Sequence, residues 1–414
     1  MTFTLVFTSL LLLNLMLKFW LAQRQMRHVA KHRSSVPDAF ASVIDIAAHQ
    51  KAADYTLAKL RIGQWDMALD TAMLVVWTLL GGLGLLDQWL LDVLGAGMRQ
   101  QILLVVGFML INAVVNLPLS YIQTFRVEQA FGFNRMTIGL WVSDMFKASL
   151  LGAVLGLPLL WLVMYLMQSG GSWWWMIAWG VLVVYQLFVM WLAPSVIMPL
   201  FNKFQPLEDA SLKDRVVALM QRTGFQAEGF FVMDGSRRSA HSNAFFTGLG
   251  KQKRVVFFDT LLKQLSPEEM EAVLAHELGH AKLKHIPKSL LNIFAYTLIA
   301  LAGLGWLSTQ TWFYEGLGVQ PHLSGSNDAL ALLLFMLFVP LISFLTTPLH
   351  SARSRQHEFE ADAFACEHAN SADLRQALLK LYQDNASTLT PDPLYVAFYH
   401  SHPPAAQRLA RLTA

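Results

Sequence analysis

Seven predominantly apolar stretches recur along the chain, near residues 3–21, 67–91, 102–122, 148–167, 173–197, 290–307 and 330–349. Each is close to the roughly 20 residues that a helix needs to cross about 30 Å of hydrocarbon. A fold surrounded by water has no place for so many. The composition agrees, since only 14% of the 414 residues are charged, against about 25% in soluble proteins. The fold class expected is a mainly α integral membrane protein with about seven transmembrane helices, its first partner the lipid bilayer. A formal charge of +3 leaves no clustered surplus of Lys and Arg to face phosphates, so nucleic acid is excluded as a partner. The single cysteine, Cys366, excludes an intramolecular disulfide and a Cys-based zinc cluster.

Basic residues flanking the spans give an orientation. Arg24, Arg27, Lys31, Arg33, Lys51, Lys59 and Arg61 follow the first run, and Arg126, Arg135 and Lys147 follow the third. The alternate loops are nearly bare: Arg99 stands alone after the second run, and segment 309–328 has no Lys or Arg. With no positive charge before it, the first run reads as a signal anchor with its N-terminus outside. Seven spans then put two polar stretches, 201–288 and 350–414, on the cytoplasmic side, where they can meet as one domain.

That domain reads as mixed α and β. An amphipathic helix near 210–222 precedes short strands near 229–234, 243–247 and 254–259. A further helix has a clear start: Ser266 can cap it, Pro267 suits its first position, and Glu269 completes a capping box. This helix carries His276-Glu277-Leu278-Gly279-His280. Histidines four apart project from one face, so both can reach one Zn²⁺, with Glu277 beside them as a general base. Gly279 would let another segment approach closely. Chance occurrence in a chain of this composition is about one in a hundred.

A catalytic zinc site needs a third protein ligand. Ten of the 13 histidines lie from His241 onward, so His285, His350, His357, His368, His400 and His402 are all candidates, besides several acids. The best local pattern is His357-Glu358-Phe359-Glu360-Ala361-Asp362, in a helical stretch running to about 368. Glu358 and Asp362 share a face while Glu360 lies on another. A ligand carboxylate followed one turn later by an acid that orients a ligand histidine is sound zinc chemistry.

These residues resemble the type I CAAX prenyl endopeptidases, membrane-embedded zinc metallopeptidases of the gluzincin kind. The likeness also rests on Tyr55 with Lys59, Phe131-Gly132-Phe133-Asn134 with Met136-Thr137, and Pro199-Leu200-Phe201-Asn202-Lys203-Phe204. It continues through Asp234-Gly235-Ser236-Arg237-Arg238-Ser239, His241-Ser242-Asn243-Ala244, Asp259-Thr260-Leu261, and His402-Pro403-Pro404 ending at Arg408. The resemblance implies a cytoplasmic zincin-like α+β metallopeptidase domain and one Zn²⁺ per chain held by His276, His280 and Glu358. It implies that Asp362 supports a zinc ligand without touching the metal, that Glu277 and His402 are catalytic, and that Asn243 and Arg408 contact substrate. It further implies seven helices around a large water-filled chamber. Two departures stand out: Arg237 replaces an expected Lys, and Glu360 adds an acid able to compete for metal.

The division expected is 1–200 for helices one to five, 201–288 for the peptidase part with the HExxH helix, 289–349 for helices six and seven, and 350–414 for the rest of the peptidase. The function expected is a zinc-dependent membrane endopeptidase acting on peptide or protein substrates. The alternative is a seven-helix transporter or receptor whose zinc site is structural, which would be closed by four protein ligands rather than three and a spare base. The short 309–328 loop and compact length favour a bacterial cytoplasmic membrane, with the endoplasmic reticulum as the alternative. Simpler roles suffice elsewhere: interhelical hydrogen bonding for Asn112 and Asn116, an interfacial anchor at Trp173-Trp174-Trp175, packing for Cys366. His241 is either structural or a substrate contact.

Overall fold

The computed structural model describes residues 2–225, 229–247, 254–323 and 325–412. Helices coincide with the apolar runs: Thr2–His32, Met98–Glu128, Ile138–Ser169, Gly171–Phe201, His285–Leu307 and Asp328–His368 are each long and apolar enough to cross a bilayer. The run at 67–91 differs from the single span expected. It is divided between Ile46–Trp77 and Gly82–Leu94, two helices bent by 52° that make a seventh span if counted together. The first helix stops at Trp77, and after a turn Gly81, at φ +73°, a left-handed conformation that glycine adopts readily, starts the second in a new direction.

Phe7, Leu83, Leu104, Met164, Leu304, Phe313 and Leu334 bury one another between these helices. Leu5, Val154, Val184 and Ile299 point outward and are exposed, as a lipid-facing surface requires. Asn112 makes the expected interhelical bond, its Oδ1 accepting from Trp77 Nε1–H at 3.2 Å. Asn116 instead donates to the Asn112 carbonyl of its own helix. Trp173 is exposed while Trp174 is buried, so only part of that triplet can act as an interfacial anchor.

The polar stretches form one compact half. Its sheet has four strands, β1 (Phe204–Pro206), β2 (Gly229–Met233), β3 (Ala244–Thr247) and β4 (Arg254–Phe258), in the order β1-β2-β4-β3. β2 and β4 are parallel and the other pairings antiparallel, which leaves β3 at an edge. β1 was not foreseen: three residues ending in Pro206 carry too little pattern to read as a strand. Leu212, Val216 and Leu219 of the Ala210–Thr223 helix pack with Val255, Phe257, Leu274 and Leu278 to close the core.

The Pro267–Lys282 helix starts as its sequence dictates. Ser266 Oγ accepts the Glu269 N–H, and Glu269 Oε2 accepts the Ser266 N–H. Against it lies Asp328–His368, a single 41-residue helix, roughly 60 Å long at 1.5 Å per residue. One end buries Leu330, Leu334 and Phe338 among the membrane helices; the other buries Ala365 in the polar half's core. A continuous rod thus runs through the 349/350 division. The two helices meet at Gly279, where an added Cβ would lie 2.9 Å from Ala361 Cα.

Segments distant in sequence also meet between the halves. Arg238 donates to both oxygens of Asp144 at 2.8 and 3.0 Å and to Asn202 Oδ1 at 3.0 Å. The Ala240 N–H donates to the Phe133 carbonyl at 3.0 Å. These contacts tie the sheet to the membrane helices and fix the height of the site above them.

Candidate active site

His276 and His280, one turn apart on the capped helix, point their Nε2 atoms at each other across 3.2 Å. Glu358, on the 41-residue helix, closes the triangle: its Oε1 is 3.3 Å from His280 Nε2 and its Oε2 is 3.6 Å from His276 Nε2. The backs of both rings are occupied. Asp362 Oδ1 lies 2.8 Å from His276 Nδ1, and His285 Nδ1 lies 3.0 Å from His280 Nδ1. With both Nδ1 atoms carrying hydrogen, two lone pairs and a carboxylate converge on one point, an arrangement that calls for a cation.

The distances suit such an ion. Donors bound at about 2 Å to a tetrahedral zinc stand about 3.3 Å from one another. Glu358 Oε2 is buried with no hydrogen-bond partner, and a buried oxygen left unpaired costs about 1–3 kcal/mol or more. The residues present therefore fit a bound metal. Without one, His276 holds a proton strongly. Burial alone would lower its pKa, but the neighbouring carboxylates of Asp362 and Glu358 outweigh burial and raise it to about 9.

Arg408, nearly fully buried, donates Nε–H to Asp362 Oδ2 at 2.9 Å and Nη2–H to Asp362 Oδ1 at 2.6 Å. Its Nη1 stands 3.7 Å from Glu358 Oε2. Burial would lower its pKa, but the Asp362 carboxylate outweighs that and raises it, so the guanidinium stays charged. The resemblance implied a substrate contact for Arg408; in the fold it is bonded to Asp362, its Nη2 also lies 3.4 Å from His276 Nδ1, and its surface forms part of a cavity wall.

That cavity, about 790 Å³, has Glu277, His276, Glu358, His402, Asn243 and Arg408 in its lining, together with Tyr55 and Lys59. Glu277 is half-buried, and burial pushes its carboxyl up from the usual range despite the lowering effect of His276 and His280. No side-chain hydrogen bond ties it down among the described residues. His402 Nε2 reaches within 3.4 Å of Glu358 Oε1, and Ser401 Oγ lies 3.0 Å from its Nδ1. Desolvation lowers the His402 pKa against the pull of Glu358, and Arg408 and the two histidines lower it further, which favours a neutral ring. Asn243 is exposed just before edge strand β3. Its carbonyl accepts from Phe258 N–H at 3.0 Å, while its Oδ1 accepts from Ala244 N–H at 2.9 Å.

The other histidine candidates are employed elsewhere. His350 packs edge-on to Tyr296, His357 stacks on His285, and His368 stacks on Phe364. The His400 carbonyl accepts from Arg355 Nη1 at 2.8 Å. Glu360 contacts His285 rather than the trio, its Oε2 lying 2.9 Å from His285 Nε2. His241 is held from several sides. Phe133 stacks on it at 4.3 Å, Asn385 Oδ1 lies 3.1 Å from its Nδ1, and Glu128, which accepts from Tyr55 OH, is 3.7 Å away. Tyr382, which the sequence did not single out, lines the cavity with its phenol pushed up by burial.

Comparison with known proteins agrees with this architecture. Residues 25–203 match the model of the CAAX prenyl protease N-terminal domain with five membrane helices, and residues 206–414 match peptidase family M48. The CAAX prenyl protease 1 homolog of Arabidopsis thaliana is 38% identical over 307 residues, 73% of this chain and 71% of that one. The Homo sapiens homolog is 31% identical over 465 residues, covering 98% and 95%. The crystal structure of S. mikatae Ste24p superimposes with a TM-score of 0.93 at 30% identity, covering 100% of this chain and 99% of that one. Joined to a membrane-embedded fold carrying an HExxH helix, these matches show that the chain belongs to peptidase family M48, among the type I CAAX prenyl endopeptidases, and is a zinc-dependent membrane endopeptidase.

Proposed function

We propose that His276, His280 and Glu358 hold a single zinc ion and that the chain cleaves extended peptide or protein segments lying in the cavity beside β3. The observation that carries this reading is the convergence of two imidazole nitrogens 3.2 Å apart with the Glu358 carboxylate, whose Oε1 lies 3.3 Å from His280 Nε2 and whose Oε2, free of hydrogen bonds, lies 3.6 Å from His276 Nε2. When bound, zinc supplies Lewis acidity, polarising the scissile carbonyl and acidifying water. Glu277, untethered and raised in pKa by burial, takes the proton from the attacking water and returns it to the leaving amine. His402, neutral and facing the cavity, donates a hydrogen bond to the developing oxyanion. Asp362, gripped by Arg408, holds His276 in the tautomer whose Nε2 lone pair is free. Asn243, at the start of an unpaired strand edge, aligns the substrate backbone as an added strand would be aligned; Arg408 contacts substrate through what its Asp362 bonds leave free.

The peptidase half faces the cytoplasm in this reading, supported by the Lys and Arg that flank the spans. The short 309–328 loop favours a bacterial cytoplasmic membrane over the endoplasmic reticulum, although the relatives named above are eukaryotic. Peptides and misfolded membrane proteins are then the natural substrates, whereas the relatives are named for prenylated CAAX proteins. Mass-spectrometric mapping of cleavage products in membranes holding the wild type, but not Glu277→Gln, tests the activity and names the substrate. Identical peptide patterns from the two would overturn it.

A further inference from the structure

Behind His280, on the side away from the trio, His285, His357 and Glu360 bring donor atoms within 4.8 Å of one another. The chain gets there by a sharp reversal. Lys284 sits at φ +57°, a left-handed conformation uncommon for a residue with a side chain, and this turn sends buried His285 back against the ring of His280. A second metal ion is one reading of such a cluster, but two observations oppose it. His285 and His357 stack at 4.1 Å with ring planes 4° apart, so their lone pairs lie in separate parallel planes and do not converge. Both nitrogens of His285 are also already engaged, Nδ1 with His280 and Nε2 with Glu360.

We propose that Glu360 and His285 are a positioning pair that fixes the tautomer and orientation of His280. An ionised carboxylate can only accept, so the proton between Glu360 Oε2 and His285 belongs to His285 Nε2. That leaves a lone pair on His285 Nδ1, which accepts from His280 Nδ1–H across 3.0 Å. The lone pair of His280 is then on Nε2, facing His276 and Glu358. No proton is transferred; each is held where it stands. Gln356, one turn before Glu360, donates Nε2–H to Glu360 Oε1 at 3.0 Å and steadies the far end. The two ligand histidines are thus supported in parallel, His276 directly by Asp362 and His280 through His285 by Glu360. Both acids come from the helix that carries Glu358. Glu360, the extra acid beside Glu358, thus strengthens a ligand and does not compete for the metal.

This pairing presupposes that His276, His280 and Glu358 hold the metal, and chelator competition on the purified full-length protein separates the two ideas. Zinc affinity is measured for the wild type, H280A, H285A, E360A, E360Q and H285A/E360A. Loss of a carboxylate that orients a ligand histidine weakens metal binding about 10 to 100-fold, so E360A is expected to fall about tenfold and H285A further. E360Q keeps an oxygen that accepts from His285 Nε2–H and should recover most of the loss. The double variant should bind no more weakly than H285A alone, because Glu360 acts only through His285. If H285A does not fold, E360A and E360Q, altering a half-exposed side chain, still decide the matter. Unchanged or tighter zinc binding in E360A would overturn the pairing, as would additive losses, or two zinc ions in the wild type against one in E360A. H280A retaining tight zinc would instead overturn the trio itself.

Discussion

Gly279 and Ala361 pack backbone against backbone, since a Cβ on Gly279 would lie 2.9 Å from the Ala361 Cα and 3.2 Å from its carbonyl oxygen. Glu358 lies one turn before Ala361 on the same helix, so this contact sets how near its carboxylate comes to His276 and His280. Gly279→Ala should lower the melting temperature and weaken zinc binding together. Overpacking costs about 1–3 kcal/mol, and the better helix propensity of alanine offsets about 1 of that. A variant with wild-type melting temperature and zinc affinity would show that the two helices give way freely.

Glu277→Gln should keep one zinc per chain by elemental analysis while turnover falls about 10²–10⁴-fold, the usual cost of removing a general base. His276→Ala and Glu358→Ala should lose the metal as well. Near-normal turnover by purified Glu277→Gln would end its assignment as the base.

Zinc binding should depend on pH with a definite sign. The metal-free His276 keeps its proton up to about 9, and zinc must displace it. Affinity should therefore rise about tenfold per pH unit below that value, with about one proton released per zinc at neutral pH. Competition titrations across pH, corrected for the chelator's own protonation, read the slope. A flat profile would mean that the proton is not on the metal's site.

Orientation can be read by thiol labelling in a background with Cys366 replaced. The helices His285–Leu307 and Asp328–His368 both reach the site at one end, so the segment joining their other ends lies roughly 35 Å or more away, across the bilayer. A cysteine at exposed Gln320 should react with an impermeant reagent in intact cells. One at exposed Lys213 should react only after the cells are opened. The reverse pattern would turn the peptidase half outward.

Much of this protein is written locally. Apolar runs of membrane length, the Ser266–Glu269 capping box and two histidines four apart are relations within a few residues of one another. Helix geometry converts such relations directly into structure. The break at Gly81 escaped because glycine in an apolar run forces nothing, and only its neighbours decide its φ. Choosing Glu358 over six histidines needed the family pattern, since its contact with His276 spans 82 positions. The distance is set by Gly279 accepting a second backbone. His241 was undecidable because Phe133, Asn385, Tyr55 and Glu128 reach it from separate segments. The role of Glu360 is open in the sequence for a related reason: spacing along one helix shows only which face a side chain takes. It was a left-handed turn at Lys284, seventy-six residues away, that put His285 between that face and the metal site. Local sequence thus determined the helices and the motif, while long-range packing decided which side chains meet, because those contacts depend on surfaces that exist only once the helices have come together.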